Sequence, residues 1–251
     1  SLSPDGPSLD EHLNPLVKEQ IDLFLDLSPV GEIEATVGVN RFTFNGNWKF
    51  QLENTADFYH VNLLHRSLVH VVAETRGLRI EGMSNEDSSA LNVSLGGGHT
   101  MMDVRPYNAE QRNFVRDAVL RGETPESQYL KLLEDAYGRE RADELMVAGG
   151  THMAVFPNLG VLAGMIRRIR PISVNRTEVI LTPTLLKGVP ESVNIGRLRG
   201  HEAFFPPAGM GGTDDQDIFE RAQLGMQATV NPWLYVGRGI HRERVRPDGA
   251  V

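Results

Sequence analysis

Strand-like segments in this chain follow one another without the regular helical spacing of βαβ units. Stretches at 89–95, 99–104, 151–156, 159–169 and 177–186 read as strands, as does the β-branched, partly alternating "GEIEATVGVNRFTFNGN" at 31–47. Helical patterning is concentrated at 48–65, at 109–147 and after Gly212. Within 109–147, Thr124 with Pro125 marks a helix start, and Gly138 marks an end. This order predicts an α+β fold built on an antiparallel sheet. With 251 residues, 40% of them hydrophobic, the chain suits one large domain or two small ones. The opening "SLSPDGPSLDEHLNP" is turn-rich and reads as an arm or linker.

A net charge of −8 with no basic stripe argues against a nucleic-acid binder. No apolar run reaches bilayer-spanning length and no signal peptide is recognised, so no membrane partner is expected and a cytoplasmic protein is. Cysteine is absent, which excludes disulfides, thiolate zinc sites, iron–sulfur ligation and cysteine nucleophiles within this sequence.

The stretch "DFYHVNLLHR" at 57–66 carries the first chemical signal. On an ideal helix Asp57 and His60 lie about 60° apart, whereas His60 and His65 diverge by about 140°. One ion can therefore take both imidazoles only if the helix stops or distorts between them. Asp57 then serves as an acceptor for an imidazole N–H, fixing the tautomer so that the other nitrogen faces the metal. The plain alternative is two ordinary histidines on a helix that buries Ala56, Leu63 and Leu64. No H-E-x-x-H occurs, and a single Asp-x-x-His does not make a di-iron pattern, which leaves a mononuclear site.

A third ligand comes from "GTDDQDIFERAQLGMQA" at 212–228. Thr213 and Gln216 form a capping-box pattern that predicts a helix beginning at Asp214. Asp215 falls in the stripe of Ile218, Phe219, Ala222 and Met226, Asp217 falls opposite, and Asp214 lies at the flank. An inward carboxylate needs a partner, and a metal supplies one. Two imidazoles and a carboxylate match the facial triad of non-haem Fe(II) oxygenases; zinc accepts the same donors.

"NWKFQLENTADFYHVNLLH" at 47–65, "AVFPN" at 154–158 and "FPPAGMGGTDDQDIFERAQLG" at 205–225 together resemble the catalytic domain of Rieske-type aromatic-ring-hydroxylating dioxygenase α subunits. The resemblance implies a helix-grip fold, an antiparallel sheet wrapped around helices and enclosing a substrate cavity. It implies His60, His65 and Asp215 as ligands of a mononuclear Fe(II), Asn54 near the iron, and Asp57 as the acid linking the iron to a neighbouring subunit's Rieske cluster. It further implies O2, an aromatic substrate, NAD(P)H-derived electrons through a reductase or ferredoxin, and a homotrimer of α subunits, sometimes with β subunits. The family's 2Fe-2S cluster needs Cys-x-His and Cys-x-x-His pairs that this sequence lacks. On that basis residues 1–30 are expected to be a linker or the tail of an absent Rieske domain, and 31–251 the iron-bearing catalytic domain.

Candidate substrate-binding residues are Val61 and Val69, flanking the ligand helix, with core packing as the alternative; His152, Phe156 and Asn158, around the "VFPN" segment, with a satisfied core histidine as the alternative for His152; and Gly211, where relatives can carry a bulky aromatic and a glycine would enlarge the cavity, a plain loop glycine being the alternative. In "RRIRP" at 167–171, alternation puts Arg168 and Arg170 together and Arg167 on the other face. A surface or subunit-contact role is expected there rather than an anion site. "GGGHT" at 96–100 reads as a turn, and His70, His99, His201 and His241 receive no role. Similarity to one branch of the family implies a small monoaromatic substrate, carboxylated in some cases. The alternative function is a non-catalytic helix-grip module carrying an apolar ligand.

Overall fold

The computed structural model describes residues 5–36, 38–68, 70–71, 90–109, 116, 119–120, 124–148, 152–162, 164–237 and 239–251. Its strands are β1 (Ile33–Glu34), β2 (Asn40–Phe44), β3 (Leu91–Gly96), β4 (His99–Asp103), β5 (His152–Val155), β6 (Leu159–Leu162), β7 (Met165–Ser173), β8 (Arg176–Pro183) and β9 (Leu185–Leu186). Seven of them form one antiparallel sheet in the order β2-β8-β7-β6-β5-β4-β3, and β1 pairs separately with β9. The fold is α+β, as the strand order predicts. Two expected strands are divided. The 31–47 segment becomes β1 and β2, and the 159–169 segment is a hairpin, β6 to β7. Gly96, Gly97 and Gly98 all take positive φ, so the glycine run makes the β3–β4 turn that a side chain would strain.

Residues directly opposite each other in antiparallel pairs share a face. One row therefore runs Asn40, Leu181, Arg167, Gly160, Ala154, Thr100 across six strands. The adjacent row is Pro183, Met165, Leu162, His152, Met102. This face carries the core of Phe44, Leu162, Met165, Val179, Leu181 and Phe219.

The opposite face, with Val93, Leu95, Met101, Met153 and Val155, packs on Val17. The helices are α1 (Leu9–His12), α2 (Pro15–Leu25), α3 (Trp48–Asn54), α4 (Val61–Leu64), α5 (Arg105–Ala109), α6 (Pro125–Tyr137), α7 (Arg139–Ala148), α8 (Glu191–Phe204) and α9 (Gly212–Gly225). Thr124 caps α6, with Pro125 in its first turn, and Gly138 ends it at φ 81°, as expected. Leu130 and Leu133 of α6 join Leu145 of α7 and Leu23 and Phe24 of α2 in a second cluster, against which Val161 and Ile166 of the sheet pack.

Within the 1–30 segment, helix α2 packs against the rest of the fold. Asn14 accepts from the N–H groups of Leu16 and Val17, Pro15 fixes the first turn, and the helix then buries Val17, Leu23 and Phe24. Residues 15–27 are thus part of the core. No helix among the described residues is long and apolar enough to cross a membrane.

Leu23 is 5% exposed in this core and Leu9 is 73% exposed. Leu23→Ala is expected to lower unfolding free energy by about 2–5 kcal/mol, and Leu9→Ala by no more than about 0.5 kcal/mol. Urea denaturation of both variants checks this, and equal small losses would show that α2 does not support the core.

Candidate metal centre

Helix α3 starts at Asn47, whose side chain accepts from Lys49 N–H, and it stops at Asn54. Local hydrogen bonds explain the stop. The Thr55 hydroxyl donates back to Gln51 O (2.9 Å), and Asp57 then accepts from the N–H groups of Tyr59 (2.8 Å) and His60 (3.3 Å). Such bonds compete with continuation of the helix. The predicted single helix over 48–65 is therefore two, α3 and α4. His60 immediately precedes α4 and His65 immediately follows it. Only the single turn of α4 separates them, His65 leaves helical geometry at φ −92° and ψ 24°, and the two rings stand at a centroid distance of 5.3 Å.

Asp215 arrives from the first turn of α9 and is 7% exposed. Its Oδ1 lies 3.2 Å from His65 Nε2 and 3.7 Å from His60 Nε2. One ligand atom from each of His60, His65 and Asp215 falls within 4.8 Å of the others.

The outer nitrogens are tied to acids. His60 Nδ1 lies 3.3 Å from Asp57 Oδ2, and His65 Nδ1 lies 3.4 Å from Asp214 Oδ2. A carboxylate at Nδ1 holds the proton there and turns the Nε2 lone pair inward, the arrangement that orients imidazole ligands. Asn54 bridges the interior, its Nδ2 donating to His60 Nε2 and to Asp215 Oδ1, each at 3.0 Å. Burial opposes charge on His65, but Asp215 and Asp214 together raise its pKa above the ordinary value. Burial likewise opposes charge on Asp57, and the bonds to His60 and Tyr59 prevail and lower its pKa. The donor set fits a divalent metal with nitrogen and oxygen preference.

Asp214 is the contact that sequence reading missed. Its place at the flank of the helix gave no hint of a histidine 149 positions away. The capping-box expectation also fails, since α9 begins at Gly212 with no side-chain cap. Thr213 Oγ1 donates to Gly209 O, and Gln216 Nε2 donates to Gly212 O. Phe219 is buried on the inward face, whereas Ile218 and Met226, expected there, are 42% and 58% exposed. Leu63, expected in a helix interior, is 73% exposed.

The other candidates separate. Val61 sits partly buried in α4 between the histidines, and His152 lies on the sheet face that bears the triad-side core. Burial, with the nearby charges of Arg167 and His60, lowers the His152 pKa to about 3, so the ring is neutral. Phe156 and Asn158 are exposed at the β5–β6 turn, where the strand ends, and make no contact with the triad among the described residues. Val69 lies outside the described residues. Gly211 is buried, but it opens no cavity: a Cβ there would meet the Phe204 ring at 2.5 Å. That ring packs edge-on against His65 at 5.2 Å. Arg168 and Arg170 are exposed, whereas Arg167 is 5% exposed, against the expectation of a surface role.

The family model described as "Ring hydroxylating alpha subunit (catalytic domain)" matches residues 24–244. The 2-halobenzoate 1,2-dioxygenase large subunit of Burkholderia cepacia is 31% identical over 99% of this chain and 52% of its own length. The anthranilate 1,2-dioxygenase large subunit of Acinetobacter baylyi is 30% identical over 94% of this chain and 50% of its own length. The chain thus spans about half the length of these relatives. Naphthalene 1,2-dioxygenase from Rhodococcus sp., solved with indole bound, shares the fold at a TM-score of 0.73 and 20% identity, over 99% of this chain and 57% of that one.

Gly211→Ala is expected to cost about 1–3 kcal/mol through overpacking against Phe204. Adding Phe204→Ala should remove most of the extra penalty, so a double-mutant cycle by thermal melting measures the clash. Additive losses would show that Phe204 does not fill the space above Gly211.

Proposed function

Because this chain belongs to the family of ring-hydroxylating alpha-subunit catalytic domains, we propose that it is the iron-binding domain of an oxygenase that hydroxylates an aromatic ring with dioxygen. The observation that carries the reading is the convergence of His60, His65 and Asp215 within 4.8 Å, with an acid behind each imidazole. Two imidazoles and one carboxylate on one side of an Fe(II) ion leave positions open beside the substrate. Bound iron would supply the activation of dioxygen for addition to the ring, typically as a cis-diol.

The protein's part is positional. Asp57 and Asp214 hold the Nδ1–H groups of His60 and His65, so both Nε2 lone pairs point at the same place. Phe204 covers one side of His65, which is 1% exposed, and keeps water from it. The relatives carry halobenzoate and anthranilate in their names, which supports a small monoaromatic substrate. Its ring is assigned to the sheet side of the triad, facing His152.

Electrons need a source outside these residues, since a Rieske cluster requires cysteine and the sequence has none. NAD(P)H, through a reductase and a Rieske centre, is the source we assign. A groove of about 560 Å³ runs along α3, α4 and α9 on the solvent side, lined by Phe50, Asn54, Asp57, His60, Leu63 and Ile218. The Asp57 side chain is 42% exposed there while bonded to His60, which supports this face as the contact with the electron-donating neighbour in an oligomer of such subunits.

Anaerobic equilibrium dialysis tests the assignment. About one Fe(II) per chain should bind to the wild type, and replacing His60, His65 or Asp215 with Ala should abolish it. Asp214→Asn should weaken binding by about 10- to 100-fold without removing a ligand. Full iron occupancy in the triple Ala variant would overturn the proposal.

A further inference from the structure

Arg167 is a buried cation whose hydrogen bonding is incomplete. It projects from β7 on the triad side of the sheet, and Gly160 lies directly opposite on β6. A Cβ at Gly160 would come 3.2 Å from Arg167 Cβ and 3.7 Å from its Cδ, so the glycine makes room for the arginine stem to lie across the sheet. Glycine is otherwise unfavourable inside a strand, which gives this one a purpose. Nη1 donates to Thr55 Oγ1 at 3.2 Å, next to Asn54 of the metal centre. Nε is buried with no hydrogen-bond partner.

A second unmatched donor lies close by. His201 is 4% exposed, and its Nε2 faces Asn40 Nδ2 at 3.4 Å. Accepting from that amide places the ring proton on Nδ1, which is buried without a partner. Arg167 and His201 both adjoin one aromatic ring: Arg167 Cζ is 5.7 Å from the Phe205 centroid, and the His201 ring is 5.8 Å from it. The His152 ring stands 6.3 Å from the same ring and keeps some accessible surface.

Leaving a buried charged donor unpaired is costly, whereas a planar carboxylate matches the guanidinium fork. We propose that Arg167, with His201 Nδ1–H beside it, binds the carboxylate of an aromatic carboxylic acid and so sets which ring atoms face the metal centre. The inference rests on the oxygenase reading and names the residues that would anchor its substrate. Arg167 is tied to the C-terminal end of α3 through Thr55, so an anion held there leaves its ring next to Asn54, His60 and Asp215. The competing explanation is that Arg167 only offsets the charge of Asp215, whose field favours its protonated form.

The two explanations differ in ligand selectivity. Benzoate and its neutral isostere benzamide are titrated into the iron-loaded protein by calorimetry at neutral pH. The wild type should prefer benzoate by at least about tenfold, and Arg167→Met should weaken benzoate by a similar factor or more while changing benzamide little. Arg167→Lys, which keeps the charge and loses the fork, should fall between. Equal affinities in the wild type, or parallel losses for both ligands, would overturn the proposal. Should Arg167→Met not fold, the wild-type selectivity and Arg167→Lys decide it. Iron content measured on the same samples keeps the two readings apart. Bound iron without benzoate preference defeats only the Arg167 assignment, and absent iron defeats the oxygenase reading.

Discussion

A carboxylate held out of water, that of Asp215, is the interaction around which the site is organised. Its position in the first turn of α9 brings a helix-dipole contribution of about 0.3–1 kcal/mol. Burying such a charge costs several kcal/mol, so the dipole alone does not hold it there. The remainder must come from groups that donate to it: the Asn54 amide and, when its ring is protonated, His65 Nε2. A divalent cation among the triad atoms would satisfy Asp215 and both imidazole nitrogens at once. The arrangement is therefore costly as a purely structural feature and well matched as a binding site.

The shortness of α4 is what makes two histidines on one segment usable: the helix ends after one turn, and His65 takes its place from outside regular helical geometry. Asp57 acts twice here, capturing backbone N–H groups that a longer helix would need and fixing the His60 tautomer. The same carboxylate thus ends one element and orients a side chain of the next. His65 has an equivalent acid, but it comes from α9, so the two halves of the centre are tied together by Asp214 as well as by Asp215.

Much of this was legible locally. The strands at 99–104 and 177–186, the cap at Thr124 and the inward phase of Asp215 each depend on neighbouring residues alone, and each appears in the structure. What failed depends on distant partners. Asp214 meets a histidine in another element, and helix α8, which carries Gly196 and Gly200, has no strong apolar stripe to announce it. Thr213 and Gln216 match a cap by spacing, yet Gly211 and Gly212 let the helix start earlier, with Phe204 packed above. Alternation correctly set Arg167 apart from Arg168 and Arg170, but nothing in the strand itself says which face turns inward. The same gap hid the exposure of Phe156 and Asn158, where the strand pattern runs into a turn.

The two faces of the sheet divide the work. The face toward α2, α6 and α7 presents Val93, Leu95, Met101, Met153 and Val155 to core over β3 to β5, and leaves Arg168 and Arg170 exposed on β7. The other face interrupts its apolar rows with Arg167, Gly160 and His152, which a stability-driven core would not choose. Aromatic packing compensates close to the site. Phe219 lies one helical turn beyond Asp215, and its ring stands 5.2 Å from Phe44 and 6.3 Å from Phe50, the latter stacked. Each such pair contributes about 0.5–1.5 kcal/mol beyond area burial. More important, the cluster clamps α9 to β2 and α3, so the Asp215 carboxylate and the Asn54 amide are set by one rigid body rather than by a loop. A metal centre assembled from distant parts of the chain needs that rigidity, since small errors in ligand position are costly to binding and catalysis.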